Sequence, residues 1–355
     1  MPEGALSAYG NRRAAAFAPG RVNLIGEHTD YNGGLALPFS IAQGVTVRGQ
    51  RSDEPCISAH AEDLDEHDRF ALEDRSPARG WRAFVRGVVA ELGAAGLAPG
   101  GARLQIGGDL RRGAGLSSSA ALGVALCLTL TALRGRGGAE LDRLQVAQLC
   151  SRVESEWVGA RTGLLDQLAS LFGEPDAALV IDFATLVIEP VPLRLGGWQL
   201  VVVDSGERHA HASSGYNERR SECEQASRLL GVRLLAEAQP EQVGRLAEPL
   251  RSRARHVLGE SRRVEEAVAA LRADDLQALA ALLNASHASL RDCYEVSTPA
   301  MERTVRGLLE AGAAGARMIG GGFGGSALAA FAPGIEPPAG ALHVRPGDGA
   351  HVLGD

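Results

Sequence analysis

The passage from Gly113 to Leu126, G-A-G-L-S-S-S-A-A-L-G-V-A-L, constrains this chain more than any other, because a glycine and serine loop runs straight into an apolar, alanine-rich segment of helical character. Glycines let backbone approach an anion closely. The free N–H groups of a first helical turn, with the positive end of the helix dipole, then point at it. The segment therefore predicts a phosphate cradle at the start of a helix, with Ser117, Ser118 and Ser119 placed to cap that helix and to offer hydroxyls to a phosphate or its magnesium. The plain alternative is a flexible loop ahead of an ordinary buried helix.

The chain contains no lysine, so all 36 of its basic residues are arginines. A Walker A loop, a protein kinase and a pyridoxal enzyme each need a lysine, and all three classes are excluded. The loop also departs from the dinucleotide pattern G-x-G-x-x-G, because Ser118 stands where the third glycine belongs. What remains is a nucleoside triphosphate held by backbone amides, serine and magnesium.

A second segment, Ala18 to Gly34, reads A-P-G-R-V-N-L-I-G-E-H-T-D-Y-N-G-G. Val22, Leu24 and Ile25 suit a buried strand, while Glu27, His28 and Asp30 follow it as a cluster of hydrogen-bonding groups. Carboxylates accept from hydroxyls and an imidazole does either, so a polyhydroxylated ring is the natural ligand. The alternative is a solvated acidic turn closed by Asn32, Gly33 and Gly34. A third cluster, Met318 to Ser326, carries five glycines between an amphipathic helix and the apolar run Ala327 to Phe331. So much bare backbone predicts a second wall of the site, facing either sugar or triphosphate.

Together these blocks resemble the GHMP kinase family, and the Ala18–Gly34 block resembles the galactokinase signature. G-L-L-D-Q at Gly163 to Gln167, S-S-G-Y-N-E-R-R at Ser213 to Arg220 and V-S-T-P at Val296 to Pro299 resemble galactokinase segments in the same order. The resemblance spans nearly the whole chain. It implies an α+β fold of two domains: an N-terminal domain like ribosomal protein S5 domain 2, and a C-terminal ferredoxin-like α/β sandwich, with the active site in the cleft between them. It also implies transfer of the ATP γ-phosphoryl group to the anomeric hydroxyl of α-D-galactose.

By the same resemblance, Asp166 is the catalytic carboxylate and Arg21 stabilises the transferring phosphoryl group. Glu27, His28, Thr29 and Asp30 bind the sugar with the backbone at Gly163 and the hydroxyl of Tyr216. Gly113, Ala114, Gly115, Leu116, Ser117, Ser118 and Ser119 wrap the nucleotide phosphates, and Ser119 and Glu154 hold Mg2+. Gly215 stands where several relatives carry a bulkier polar residue, which predicts a looser far edge of the sugar pocket.

The residues themselves support these roles unevenly. Asp166 follows Gly163 beside Leu164, Leu165 and Leu168, which suits a half-buried carboxylate at a helix start, although a capping aspartate reads the same way. Glu154 lies in the periodic pattern Leu141, Leu144, Ala147, Leu149, Cys150, Val153 and Trp157 of an amphipathic helix. Its neighbour Glu156 competes with it for the inward position. Tyr216 on its own reads equally as a packing residue.

A chain of 355 residues with 45% apolar content fills two cores, and residues 1–191 and 192–355 are the expected domains. The first half predicts strands at Gly44–Arg48 and Leu104–Ile106, a helix over Trp81–Gly93, and a hairpin of Ala178–Phe183 with Leu186–Pro190. The second opens on a strand at Gln199–Val203, then helices from Tyr216 to Ala311, then strands returning at Ala327 and Ala341. A net charge of −7 argues against nucleic acid as a partner. No stretch has membrane-spanning length, and Met1 to Ala18 lacks the pattern of a signal peptide. Five scattered cysteines without C-x-x-C pairs read as reduced thiols, so a cytoplasmic protein is expected, and a monomer.

Two readings from other classes remain beside the kinase. One is a non-catalytic galactose sensor on the same fold. The other is a kinase for a different small molecule, such as mevalonate, homoserine or N-acetylgalactosamine.

Overall fold

Small and apolar residues from Ala14 onward form a long first strand in the computed structural model, which describes residues 12–110, 115–135, 142–208 and 212–354. This strand, β1 (Arg13–Asn23), belongs to a six-stranded sheet with β3 (Pro38–Arg51), β4 (Cys56–Ala61), β5 (Glu66–Ala71), β6 (Ala102–Gly108) and β13 (His351–Leu353). Their order is β13-β1-β3-β6-β4-β5, and only β4 and β6 run parallel. A smaller sheet joins β2 (Leu35–Ala36), β7 (Ala177–Asp182) and β8 (Val187–Pro192). The register of β1 on β3 shifts between Pro19 and Arg21, a bulge that re-aims Arg21 just before the strand ends.

Helices α2 (Ser118–Leu133) and α4 (Leu165–Phe172) pack on this sheet, and α1 (Trp81–Ala94) and α3 (Arg143–Arg152) pack against α2. As its composition predicts, α2 is buried on nearly every side: Val124, Leu126 and Leu130 are shut away against Val47, Ile57 and Leu104 of the sheet. Each such side chain stabilises the fold by about 2 kcal/mol. The hydroxyls that share the core are satisfied, with Thr129 donating to the Val47 carbonyl (3.0 Å) and Thr131 to that of Cys127 (2.7 Å).

The expected amphipathic helix through Trp157 is realised only in part. The α-helical register ends at Arg152, and Val153–Val158 forms one π-helical turn. The wider turn re-phases the side chains. Glu154 lies inside at 3% exposed and Glu156 lies outside.

The second half carries β9 (Gln199–Arg208), α5 (Ala212–Leu230), the short α6 (Pro240–Val243), α7 (Leu250–Arg272), α8 (Leu276–Asp292), α9 (Pro299–Glu310), β10 (Gly315–Ile319), β11 (Gly324–Phe331) and β12 (Leu342–Val344). Its sheet has the order β10-β11-β9-β12, antiparallel throughout. The chain passes from one half to the other between β8 and β9, and it returns at the end, where β13 pairs with β1.

The two halves share a core. Leu24, Ile25, Leu37 and Phe39 pack with Val264, Leu283, Ile319 and Leu328, so the walls of the cleft are held by one apolar cluster. No helix among the described residues is long and apolar enough to cross a membrane, and all five cysteines are free.

Candidate active site

Where β1 ends, the chain folds into a compact loop whose shape is fixed by its own polar groups and by α7. Thr29 donates from Oγ1 to the Gly26 carbonyl (2.8 Å), and Asn32 donates from Nδ2 to that of His28 (2.7 Å). His28 is thereby held in the left-handed region, at φ 61°. From α7, Glu260 accepts from Gly26 N–H (3.1 Å), and the His256 ring bonds the Glu27 carbonyl (3.0 Å). Neither interaction is visible in local sequence, since each spans more than 200 residues.

This loop forms one side of a cavity of about 140 Å³, lined by Arg21, Glu27, His28, Asp30, Thr162, Gly163, Leu165, Asp166, Tyr216, Gly320 and Gly321. Both halves of the molecule contribute. Sugar-binding expectations at Glu27, His28, Asp30, Gly163 and Tyr216 thus converge on one cleft, and the third glycine cluster supplies its far wall. Thr29 stands apart: it is fully buried, absent from the lining, and its hydroxyl is spent on the loop. Nor is the edge near Gly215 loose, because the Phe323 ring lies so close that a Cβ at Gly215 would sit 2.6 Å from it.

Asp166 stands in the first turn of α4 and receives three donors. Arg21 reaches its Oδ1 through Nε (2.8 Å) and Nη2 (2.7 Å), and Ser117 donates to its Oδ2. Through Nη1, Arg21 also bonds the Gly115 carbonyl (2.6 Å), which ties the glycine loop to the cleft. The expected capping role of these serines fails at Ser117: it occupies the cap position at φ 60°, with its hydroxyl turned away from the helix and onto Asp166. A partly buried carboxylate attracts that hydroxyl more strongly than a neutral backbone N–H does.

Ser118 and Ser119 face the other way, into a cavity of about 560 Å³ whose walls include Leu64, Trp81, Phe84, Ile106, Leu110 and Leu122. An apolar chamber of that size beside a helix N-terminus suits the base and ribose of a nucleotide. Sequence reading did not assign these residues to the site; among them only Trp81 and Phe84, at the start of α1, gave an aromatic signal. Leu116 is buried and serves through its carbonyl, which accepts from Arg21 N–H (3.2 Å). Gly113 and Ala114 lie outside the described residues.

Burial and negative neighbours set the protonation of the site. Burial, then the charges of Asp166 and Glu27, push Asp30 up to about 6, against the pull of the Tyr31 and Leu165 backbone N–H groups. Burial likewise raises Glu154 to about 7, with Asp166 adding to it. Glu154 Oε2 accepts from Thr162 (2.5 Å) and Gln167 (3.1 Å), and Ser119 bonds the same side chain. Ser119, which lines the large cavity, therefore also meets Glu154. Glu27 is anchored by Gly320 N–H (2.8 Å) and the buried Arg317 guanidinium (3.3 Å).

A family model described as the galactokinase galactose-binding signature matches residues 6–51, a segment that includes the loop of Glu27, His28 and Asp30. Curated galactokinases of Thermotoga petrophila and Mycobacterium tuberculosis are 41% and 42% identical, each over 88% of this chain and 87% of the relative. The chain belongs to the galactokinase family. Models of the GHMP kinase N-terminal domain and C-terminal domain match residues 83–174 and 267–341. Galactokinase of Lactococcus lactis, solved with galactose, superposes with a TM-score of 0.89 at 32% identity, covering 96% of this chain and 95% of that one. A mevalonate kinase superposes at 0.64 with 17% identity, which reflects the shared fold. The galactokinase resemblance read from the motifs and the two-domain α+β fold are thus both found, and the chain is an ATP-dependent sugar kinase.

Proposed function

We infer that this cleft phosphorylates α-D-galactose at its anomeric hydroxyl, giving galactose 1-phosphate and ADP. One observation carries the residue roles: Asp166 lines the small cavity and is hydrogen-bonded to the serine run whose next members line the large one. Ser117 bonds it, while the next two serines line the nucleotide side. A triphosphate laid along the N-terminus of α2 brings its γ-phosphorus toward Asp166.

Galactose occupies the small cavity, where Glu27, Asp30, His28 and Tyr216 reach its hydroxyls and orient the anomeric oxygen. Asp166 accepts the proton of that hydroxyl as the oxygen attacks phosphorus in line. No phosphoenzyme is needed. Arg21 holds Asp166 in place and sets positive charge beside the transferring group.

Ser119 and Glu154 fit Mg2+. They offer hard oxygen donors, and Glu154 is a buried carboxylate whose ionisation a cation favours. When bound, the ion supplies charge neutralisation to the triphosphate. The five free cysteines fit a reducing compartment, and we read the protein as a cytoplasmic monomer.

A coupled ADP-release assay over galactose, N-acetylgalactosamine, glucose and mevalonate, with the phosphate located by 31P and 1H NMR, tests this reading. Galactose 1-phosphate is the expected product. Turnover of another acceptor with none from galactose would overturn it.

A further inference from the structure

Behind the sugar cavity runs a chain of hydrogen bonds that the phosphoryl transfer does not use. His28 Nδ1 lies 2.8 Å from the Tyr31 hydroxyl, which lies 2.9 Å from that of Tyr294, which lies 3.0 Å from Cys223 Sγ. Tyr294 and Cys223 are buried, at 0% and 1% exposed. The other ring nitrogen, Nε2, is buried on a ring that lines the cavity and makes no hydrogen bond of good geometry.

The lining of the cavity carries three carboxylates, and the Tyr216 hydroxyl stands beside His28 as a donor. Glu27, Asp30 and Asp166 all accept, and the Arg21 guanidinium is engaged by Asp166 and Gly115. Sugar hydroxyls donate readily to such carboxylates. Their oxygens, desolvated in the same space, need donors in return.

We propose that the Cys223–Tyr294–Tyr31 chain holds His28 as its Nε2–H tautomer, so that this nitrogen donates to one hydroxyl oxygen of the hexose. The inference rests on the reading of this cavity as the sugar site. In this polarity the Cys223 thiol donates to Tyr294, Tyr294 to Tyr31, and Tyr31 to His28 Nδ1, leaving the proton on Nε2. The opposite tautomer would set a lone pair against that oxygen. Burial, with the His256, Arg219 and Arg317 charges acting in the same direction and the Gly321 carbonyl opposing, lowers the His28 pKa to about 3. The ring is therefore neutral at working pH, with one donor nitrogen to place. Tyr31 and Tyr294 are positioning residues, since they act on the sugar through His28.

The test combines 15N NMR of the histidine ring in the wild-type protein with kinetics of Tyr31→Phe and Tyr294→Phe on galactose and a panel of monodeoxygalactoses. The His28 spectrum should report protonated Nε2 and bare Nδ1. Tyr31→Phe should raise KM for galactose about tenfold, the effect of one hydrogen bond, with KM for ATP unmoved, and Tyr294→Phe should act in the same direction but less. Against the one deoxy sugar lacking the hydroxyl that His28 meets, Tyr31→Phe should cost nothing further. A purely structural role would weaken all sugars alike. A proton found on Nδ1, or Phe variants with unchanged KM for galactose, overturns the proposal while leaving the sugar site intact. If His28→Ala leaves KM for galactose unchanged, the sugar assignment of the cavity falls and the proposal falls with it.

Discussion

Gly163 and Asp30 stand in such close contact that a Cβ on the glycine would overlap the Asp30 carboxylate at Oδ2. The two residues are 133 positions apart, one ahead of α4 and the other in the loop after β1. This contact locks the sugar loop against the helix that carries Asp166.

Gly163→Ala should therefore push Asp30 out of the cavity. Overpacking of this kind costs about 1–3 kcal/mol, so KM for galactose should rise roughly 5- to 150-fold. ATP binding, followed by calorimetry, should hardly change. Unchanged galactose kinetics would show that Asp30 has room to yield.

Asp166→Asn keeps the shape of the side chain and removes its capacity to take a proton. A drop in kcat of about 10²–10⁴ is expected, with nucleotide affinity preserved because the serine loop and large cavity remain. Near-normal turnover would assign the base elsewhere.

Asp30 gives the site a pH signature. Its folded-state pKa is raised from 3.8 to about 6 by burial and by Asp166 and Glu27. Between those values the folded protein binds more protons than the unfolded chain, so this residue's contribution to stability declines as pH rises through the window, by about 3 kcal/mol in all. Asp30→Asn should raise Tm at pH 8, and the gain should fade toward pH 4. In the wild type, galactose affinity should weaken below about pH 6 as the carboxylate takes its proton. A flat Tm difference across pH would contradict both expectations.

Trp81→Ala should enlarge the 560 Å³ chamber and strip an aromatic wall from it. KM for ATP should rise about tenfold while KM for galactose stays put. Fluorescence of Trp81 should report nucleotide binding in the parent protein. An effect on galactose alone would move the nucleotide elsewhere.

The order of the glycine-rich blocks, the absence of lysine and the residue types at Glu27, Asp30 and Asp166 were enough to name the family and to gather most of the cleft lining. Composition and local pattern likewise announced α1, α2, the β7–β8 hairpin and the helices of the second half, because they are properties of one element at a time. Contacts between distant elements are not. That Ser117 turns to Asp166 instead of capping α2, that a π-helical turn puts Glu154 inside and Glu156 outside, that Thr29 props the loop from within, and that Glu260 and His256 reach across from α7 were all decided by packing. A side chain chooses its partner from whatever the folded chain brings within about 3 Å, and sequence spacing does not record that distance.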